Sequence, residues 1–109
     1  MGMNLTQYNI IIVNLDLTIG SEIRKTRPCV IISPDEINKN LRTIVIAPIT
    51  SNLNNYPTRV SVFFDQKEGK MVIDQIRTID KSMIIKCIGK LSSNEISMVK
   101  SVIEETFVK

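Results

Sequence analysis

A short basic stretch, Arg24 to Arg27, runs directly into Pro28 and the apolar segment Cys29 to Ile32. The apolar segment predicts a buried strand, which would fix Arg27 at the beginning of the strand and leave its guanidinium available to a groove. An arginine held in this way suits phosphate binding or catalysis. The alternative is that Arg27 merely ends the strand and pairs with a surface carboxylate, as many exposed arginines do.

Histidine is absent from the 109 residues of the chain. A Ser-His-Asp triad, a histidine acid–base pair and a histidine metal site are therefore excluded. Cys29 and Cys87 lie in apolar runs without a CxxC partner, a pattern that predicts buried free thiols rather than a zinc or redox site. We expect no metal and no other cofactor, so catalysis would rest on arginine, hydroxyl and carboxylate groups.

The composition predicts one globular domain over residues 1–109 with an aliphatic core, because 43% of the residues are hydrophobic and 5% are aromatic. A net charge of +3 permits an anionic partner without requiring one. The longest apolar runs are too short to span a bilayer, and no signal peptide opens the chain. These features indicate a cytoplasmic protein that does not enter a membrane.

Apolar and alternating segments predict six strands. Their ranges are 9–14, 27–33, 42–50, 59–64, 70–77 and 82–91. Residues 65–69 are predicted to form a hairpin turn between the fourth and fifth strands. Pro48 predicts a bulge or a sheet edge near the end of the third strand.

Two capping boxes predict helices. Ser33 with Glu36 predicts a short helical turn, and Ser92 with Glu95 predicts a helix that runs to the C-terminus. Apolar residues in the second helix fall three and four apart and should form one face against the sheet: Ile96, Val99, Val102, Ile103 and Phe107. Short strands followed by one helix predict a mainly β protein with a small curved sheet or barrel and a C-terminal α-helix.

Six blocks of sequence resemble the MazF/PemK family. They are Val-Asn-Leu-Asp at 13–16, Thr-Ile-Gly-Ser-Glu at 18–22, Lys-Thr-Arg-Pro-Cys-Val-Ile-Ile-Ser at 25–33, Ala-Pro-Ile-Thr-Ser at 47–51, Tyr-Pro-Thr-Arg-Val at 56–60 and Asp-Gln-Ile-Arg-Thr-Ile-Asp-Lys at 74–81. The blocks follow the order and spacing of the family over most of the chain. A single Thr-Arg-Pro would be weak evidence, whereas six ordered blocks are specific.

The resemblance implies the toxin of a type II toxin–antitoxin module, a ribosome-independent endoribonuclease that cuts single-stranded RNA at short sequences. It implies an SH3-like barrel that works as a homodimer, with RNA in the groove at the dimer interface. The reaction implied is metal-independent and leaves a 2′,3′-cyclic phosphate and a 5′-hydroxyl. The implied partner is a MazE-like antitoxin whose acidic or amphipathic tail blocks the groove, and DNA would be bound indirectly, through that antitoxin.

Residue by residue, the resemblance assigns Arg27 and Thr50 as the catalytic pair. Asp74 lacks the preceding arginine that one branch of the family uses with it, so the implied mechanism rests on Arg27 and Thr50. RNA-binding candidates are Ser21, Thr26, Ser51, Gln75 and Arg77. For these residues the alternatives are ordinary turn hydroxyls, loop caps and a structural network with neighbouring aspartates.

A second function class is a non-catalytic toxin on the same fold, like the CcdB-type proteins that poison gyrase. Such a protein would rely on residues of its C-terminal helix. The Arg-Pro block around Arg27, together with Thr50, favours the ribonuclease.

Overall fold

The computed structural model describes residues 5–15 and 26–108, and within these segments the chain forms seven strands and two α-helices. The strands are β1 (Asn9–Asn14), β2 (Thr26–Ile31), β3 (Thr43–Thr50), β4 (Arg59–Phe64), β5 (Lys67–Val72), β6 (Arg77–Asp80) and β7 (Ile84–Lys90). The helices are α1 (Asp35–Asn40) and α2 (Ser93–Ile103), the latter continued by a π-helical turn over Glu104–Val108. In this part of the chain neither helix has the length and apolar character needed to cross a bilayer.

All strand pairs are antiparallel, and the strands follow the order β4-β5-β3-β2-β1-β7. Strand β3 changes partner along one edge: residues 43–46 pair with β6, and residues 49–50 pair with β5. Pro48 lies between these two segments, and its missing N–H suits a point where the ladder is interrupted. The sheet therefore divides at β3 and curls into a half-barrel, which confirms the predicted mainly β fold with a C-terminal helix.

Aliphatic side chains fill both faces of the curled sheet. One cluster, which includes Val30, Ile49, Val60 and Met71, is covered by α2 through the fully buried Val99. The opposite face carries a second cluster made of these residues: Ile11, Val13, Cys29, Ile31, Ile44, Ile46, Ile79, Met83 and Ile84. Because successive residues of a strand point to opposite faces, neighbouring positions of β2 and β3 contribute to different clusters.

The capping box of α2 is present as predicted. The backbone N–H of Glu95 donates to Ser92 Oγ at 3.2 Å, and the backbone N–H of Ser92 donates to Glu95 Oε1 at 2.8 Å. Glu95 Oε2 also accepts the backbone N–H of Phe63 at 2.7 Å, which ties the helix to β4. The predicted apolar face ends before Phe107, whose side chain is exposed.

The capping box predicted at Ser33 is wrong. Helix α1 begins two residues later and has no side-chain cap. The Ser33 hydroxyl is buried, lies 2.5 Å from Asn38 Oδ1 and accepts the backbone N–H of Val45 at 3.1 Å. Ser33 thus joins α1 to β3, because a tertiary hydrogen-bond network uses the hydroxyl that the local pattern assigned to the helix end.

The predicted turn over 65–69 and the predicted strand over 70–77 also differ from the structure. The turn consists of Asp65 and Gln66, which both have positive φ (50° and 62°), the backbone of a tight two-residue hairpin. Strand β5 therefore starts at Lys67 and ends at Val72. A 3₁₀ turn over Ile73–Gln75 separates it from β6, so Gln75 does not share a strand with Arg77.

Candidate functional site

Arg27 and Thr50 lie at the same end of the paired strands β2 and β3. The last paired positions of this ladder are Cys29 and Pro48, and Arg27 and Thr50 each lie two residues beyond that pair. Because residues two apart in a strand point to the same face, Arg27 shares the face of Cys29, and Thr50 shares the face of Pro48. The two residues that sequence analysis assigned as a catalytic pair are therefore brought to one place by two strands 23 positions apart in the chain.

A cavity of about 220 Å³ opens at this place. It is lined by Thr26, Arg27, Pro28, Ile49, Thr50, Ser51, Phe64, Lys67, Glu68 and Gly69. Four of the sequence-predicted site residues thus line one cavity: Arg27, Thr50, Thr26 and Ser51. A guanidinium, several hydroxyls, an ammonium and a carboxylate therefore lie around one cleft, where cationic and hydroxyl donors can stabilise negative charge on a phosphate.

The hydroxyl of Thr50 is oriented by its own loop. The backbone N–H of Asn52 donates to Thr50 Oγ1 at 3.2 Å. Because this contact uses an oxygen lone pair, the hydroxyl proton remains available to donate to a ligand. Arg27 is exposed, and within residues 5–15 and 26–108 its guanidinium makes no ion pair, so among these residues no carboxylate neutralises it.

Arg77 lies on the same face of the sheet but outside the cavity lining. It is opposite Ile46 on β3, and Ile46 is opposite Ile31 on β2. Both arginines act on the nearby thiol of Cys29. Burial raises the pKa of this thiol to about 12, while the positive charges of Arg27 and Arg77 lower it. Arg77 is therefore placed for long-range attraction of an anion rather than for direct contact in the cavity.

Three other predictions have different outcomes. Gln75 is exposed in the 3₁₀ turn and does not line the cavity. Ser21 lies outside the described residues. Cys29 is a buried free thiol as predicted, whereas Cys87 is exposed on β7, so the prediction of a buried thiol is wrong there. Strand β7 has most of its residues exposed, and an apolar sequence run does not distinguish such a strand from a buried one.

Sequence analysis missed Lys67 and Glu68, which reach the cavity from the first two positions of β5. Both had been assigned to the predicted turn. The signal that could have placed them is the Asp65-Gln66 pair, since aspartate is common in tight turns. Among the described residues, His, Cys, Asp and Glu side chains form no group of three that could hold a metal ion.

Comparison with known proteins identifies the family. A family model described as PemK-like, MazF-like toxin of type II toxin-antitoxin system matches residues 6–107. The chain belongs to this toxin family. The MazF-like assignment covers the strands that carry Arg27, Thr50 and Glu68.

A relative named Endoribonuclease MazF, from Staphylococcus saprophyticus subsp. saprophyticus, is 30% identical over 102 residues, covering 88% of this chain and 85% of the relative. The crystal structure of MazF from Deinococcus radiodurans superposes with a TM-score of 0.81 at 18% identity, over 99% of this chain and 100% of that one. The Mycobacterium tuberculosis toxin MazF-mt6 gives a TM-score of 0.77 at 23% identity, over 92% and 96% of the two chains. These structures share the MazF-like fold of this chain.

Proposed function

We propose that this MazF-like chain is an endoribonuclease that cleaves single-stranded RNA without a metal ion and acts as the toxin of a type II toxin–antitoxin module. The observation that carries the proposal is that Arg27, Thr50 and Glu68 line one cavity. The family and a relative named as an endoribonuclease support the reaction class.

The reaction is an internal transesterification. The ribose 2′-oxygen attacks the adjacent phosphorus, the P–O5′ bond breaks, and the 2′-hydroxyl proton passes to a base. The leaving 5′-oxygen takes up a proton, so the products are a 2′,3′-cyclic phosphate and a 5′-hydroxyl. The phosphorane formed on the way carries additional negative charge on its non-bridging oxygens, and the protein must stabilise that charge.

Arg27 stabilises the phosphorane. A guanidinium is protonated at all physiological pH values and presents planar donors that match two phosphate oxygens. Its position at the start of β2, next to Pro28, limits the reorganisation needed during reaction. Arg27 serves as a fixed positive charge and a hydrogen-bond donor rather than as a base.

Glu68 is the carboxylate of the cavity lining and takes the role of general base for the 2′-hydroxyl. Thr50 donates its hydroxyl proton to a phosphate oxygen and keeps the reacting phosphate against Arg27. Thr26 and Ser51, at the two sides of this pair, contact neighbouring phosphate or ribose oxygens. Arg77 attracts the RNA from the same face of the sheet, and Gln75 is assigned to an RNA contact outside the cavity. Ser21 is kept as an RNA-binding residue.

The chain works as a homodimer with an antitoxin as its regulatory partner. Structures of a mycobacterial endoribonuclease with its cognate antitoxin and of MazE–MazF from Deinococcus radiodurans support such a partner. An acidic antitoxin segment would occupy the cavity of Arg27 and exclude RNA. Contact with DNA would then occur through the antitoxin, and the working location is the cytoplasm.

The test is incubation of the purified protein with a long, mixed-sequence single-stranded RNA in EDTA, followed by mapping of the fragment ends. We expect discrete cuts that end in 2′,3′-cyclic phosphate. Arg27→Ala should lower the rate about 100-fold to 1000-fold, because it removes one preorganised donor. Arg42→Ala removes an exposed arginine beside Asp80 and is the matched control.

Intact RNA with a folded wild-type protein would overturn the ribonuclease. Gyrase binding would then be measured as the alternative activity on this fold. Cleavage that requires an added divalent metal would overturn the metal-independent mechanism.

A further inference from the structure

Cross-strand pairing continues from Thr50 to residues outside the Arg27 cavity. Thr50 is paired with Lys70 on β5, and Lys70 is paired with Ser61 on β4. Since paired residues share a face, Thr50, Lys70 and Ser61 form one cross-strand row over three neighbouring strands. Strands lie about 4.8 Å apart, so the backbone of Lys70 is about 5 Å from that of Thr50, which lines the first cavity together with Arg27.

Lys70 is an unusual member of this row because its residue is 7% exposed. Its ammonium donates to Asn55 Oδ1 at 2.9 Å and to Ser61 Oγ at 2.5 Å, and Glu68 Oε2 lies 4.0 Å away. Lysine is rarely buried without a pairing anion. The Glu68 carboxylate is too distant for a hydrogen bond, and it also lines the Arg27 cavity.

Arg59 lies beside Lys70 and has unused hydrogen-bond donors. Within residues 5–15 and 26–108 its Nε and Nη1 atoms are buried without a hydrogen-bond partner, and its guanidinium carbon lies 4.7 Å from the centre of the Tyr56 ring. Buried guanidinium N–H groups are normally paired. The stacked ring holds the plane of Arg59, so an acceptor that reaches the guanidinium meets donors of fixed direction.

Arg59 and Lys70 line a second cavity, of about 360 Å³, between β4, β5 and α2. The lining residues are Asn55, Arg59, Val60, Ser61, Lys70, Asn94, Glu95 and Met98. The lining carboxylate, Glu95, is engaged by the backbone N–H groups of Ser92 and Phe63. The two cations of the lining outnumber its one carboxylate, Glu95, while Glu68 offsets part of the Lys70 charge from 4.0 Å away. Amide and hydroxyl groups complete the lining.

We propose that the Arg59–Lys70 cavity binds a second phosphodiester group of the RNA, beyond the one held by Arg27 and Thr50. This proposal rests on the proposed function, whose substrate it extends. Backbone phosphate is favoured over a protein carboxylate because Lys70 adjoins Thr50 in the cross-strand row, so one strand of RNA passes from the first cavity to the second. A phosphate oxygen supplies the acceptor that Arg59 lacks, with a shift of the exposed Tyr56 ring.

The test measures binding without cleavage. A short single-stranded oligonucleotide with 2′-deoxyribose at every position cannot react by 2′-oxygen attack, and its affinity is measured over a series of salt concentrations. The variants are Lys70→Met, which keeps the length of the side chain, and Arg59→Gln. Lys39→Met on α1 removes one exposed positive charge far from the row and is the matched control. Thermal unfolding confirms that each variant is folded.

We expect the slope of log affinity against log salt to fall by about 0.7 for Lys70→Met and for Arg59→Gln, the change for one lost phosphate contact to a single strand. Lys39→Met should keep the wild-type slope. Equal slopes for all four proteins would overturn the second phosphate site. Loss of binding to an acidic peptide, with oligonucleotide binding unchanged, would also overturn it and assign the cavity to a protein partner. Cleavage of RNA is measured separately, so failure of the ribonuclease is recognised by intact RNA and not by these slopes.

Discussion

Gly69 packs directly against Ile49: a Cβ atom at Gly69 would lie 2.6 Å from Ile49 Cγ2 and 3.2 Å from the backbone oxygen of Thr50. Both contacts join β5 to β3 at the wall of the Arg27 cavity. We therefore expect Gly69→Ala to force the two strands apart, to destabilise the fold by about 1 to 3 kcal/mol and to displace Thr50. Thermal unfolding and RNA cleavage measure the two effects.

Gly89→Ala is the matched control for this change. Gly89 is exposed on β7, and a Cβ atom added there would meet no atom of the described residues within 4 Å. The Gly89→Ala variant should therefore keep the stability and the RNA cleavage of the wild type. Equal behaviour of the two alanine variants would show that the Gly69 contact does not set the geometry of the cavity.

Thr50 should act through its hydroxyl group rather than its shape. Thr50→Val keeps the branched side chain but removes the proton donor, and a hydrogen bond to a charged group contributes about 1.5 to 3 kcal/mol. The rate constant kcat should therefore fall about 10-fold to 100-fold, while Thr50→Ser keeps most of the activity. Single-turnover cleavage of a defined RNA measures both. A fully active Thr50→Val would exclude the hydroxyl from the reaction.

Glu68→Gln tests the general base. The amide keeps the size of the side chain but cannot accept the 2′-hydroxyl proton, and general base catalysis contributes about 100-fold to 10,000-fold. We expect a loss of rate in this range. Glu36→Gln, on the exposed side of α1, is the control. An unchanged rate in Glu68→Gln would transfer the role to another group.

Cys29 gives a prediction for stability against pH. Burial raises its pKa from 9.0 to about 12 in the folded chain. Between these values the unfolded chain loses the thiol proton and the folded chain keeps it, so the free energy of unfolding should fall as pH rises above 9.0. Within this range each pH unit should lower the free energy of unfolding by up to about 1.4 kcal/mol.

The measurement for Cys29 is denaturant unfolding at pH values around and above 9, with Cys29→Ala as the comparison. The alanine variant should lose this part of the pH dependence, whereas Cys87→Ala should retain it because Cys87 is exposed. In the native state a thiol reagent should modify Cys87 first and Cys29 upon unfolding. Rapid modification of both thiols in the folded protein would contradict the buried position of Cys29.

The aliphatic strands and the C-terminal helix could be predicted from sequence because their signals are local. The run from Asn9 to Asn14 is bounded by polar residues. The helix after Ser92 shows both a capping box and apolar residues at helical spacing. Arg27 and Thr50 could be proposed from the resemblance. Their meeting in one cavity could not be predicted, because strand register depends on contacts between distant segments.

The β4–β5 hairpin was misplaced for a physical reason. Gly69 carries a turn signal in sequence, but it is used for close approach of β5 to β3, and the positive φ values fall on Asp65 and Gln66 instead. Residues other than glycine adopt this backbone only when the rest of the structure requires it. This single error removed Lys67 and Glu68 from the predicted site.

Strand β1, the first of the described strands in chain order, lies between β2 and β7, the last of them. Long-range pairing of this kind forms late, because the chain between the partners must first be closed into a loop. During translation β1 therefore has an open edge until residues 84–90 have left the ribosome, and β2, which carries Arg27, is supported on an incomplete sheet. A product of this chain that stops before β7 would consequently be a poor nuclease, so activity has to wait for the synthesis of that strand.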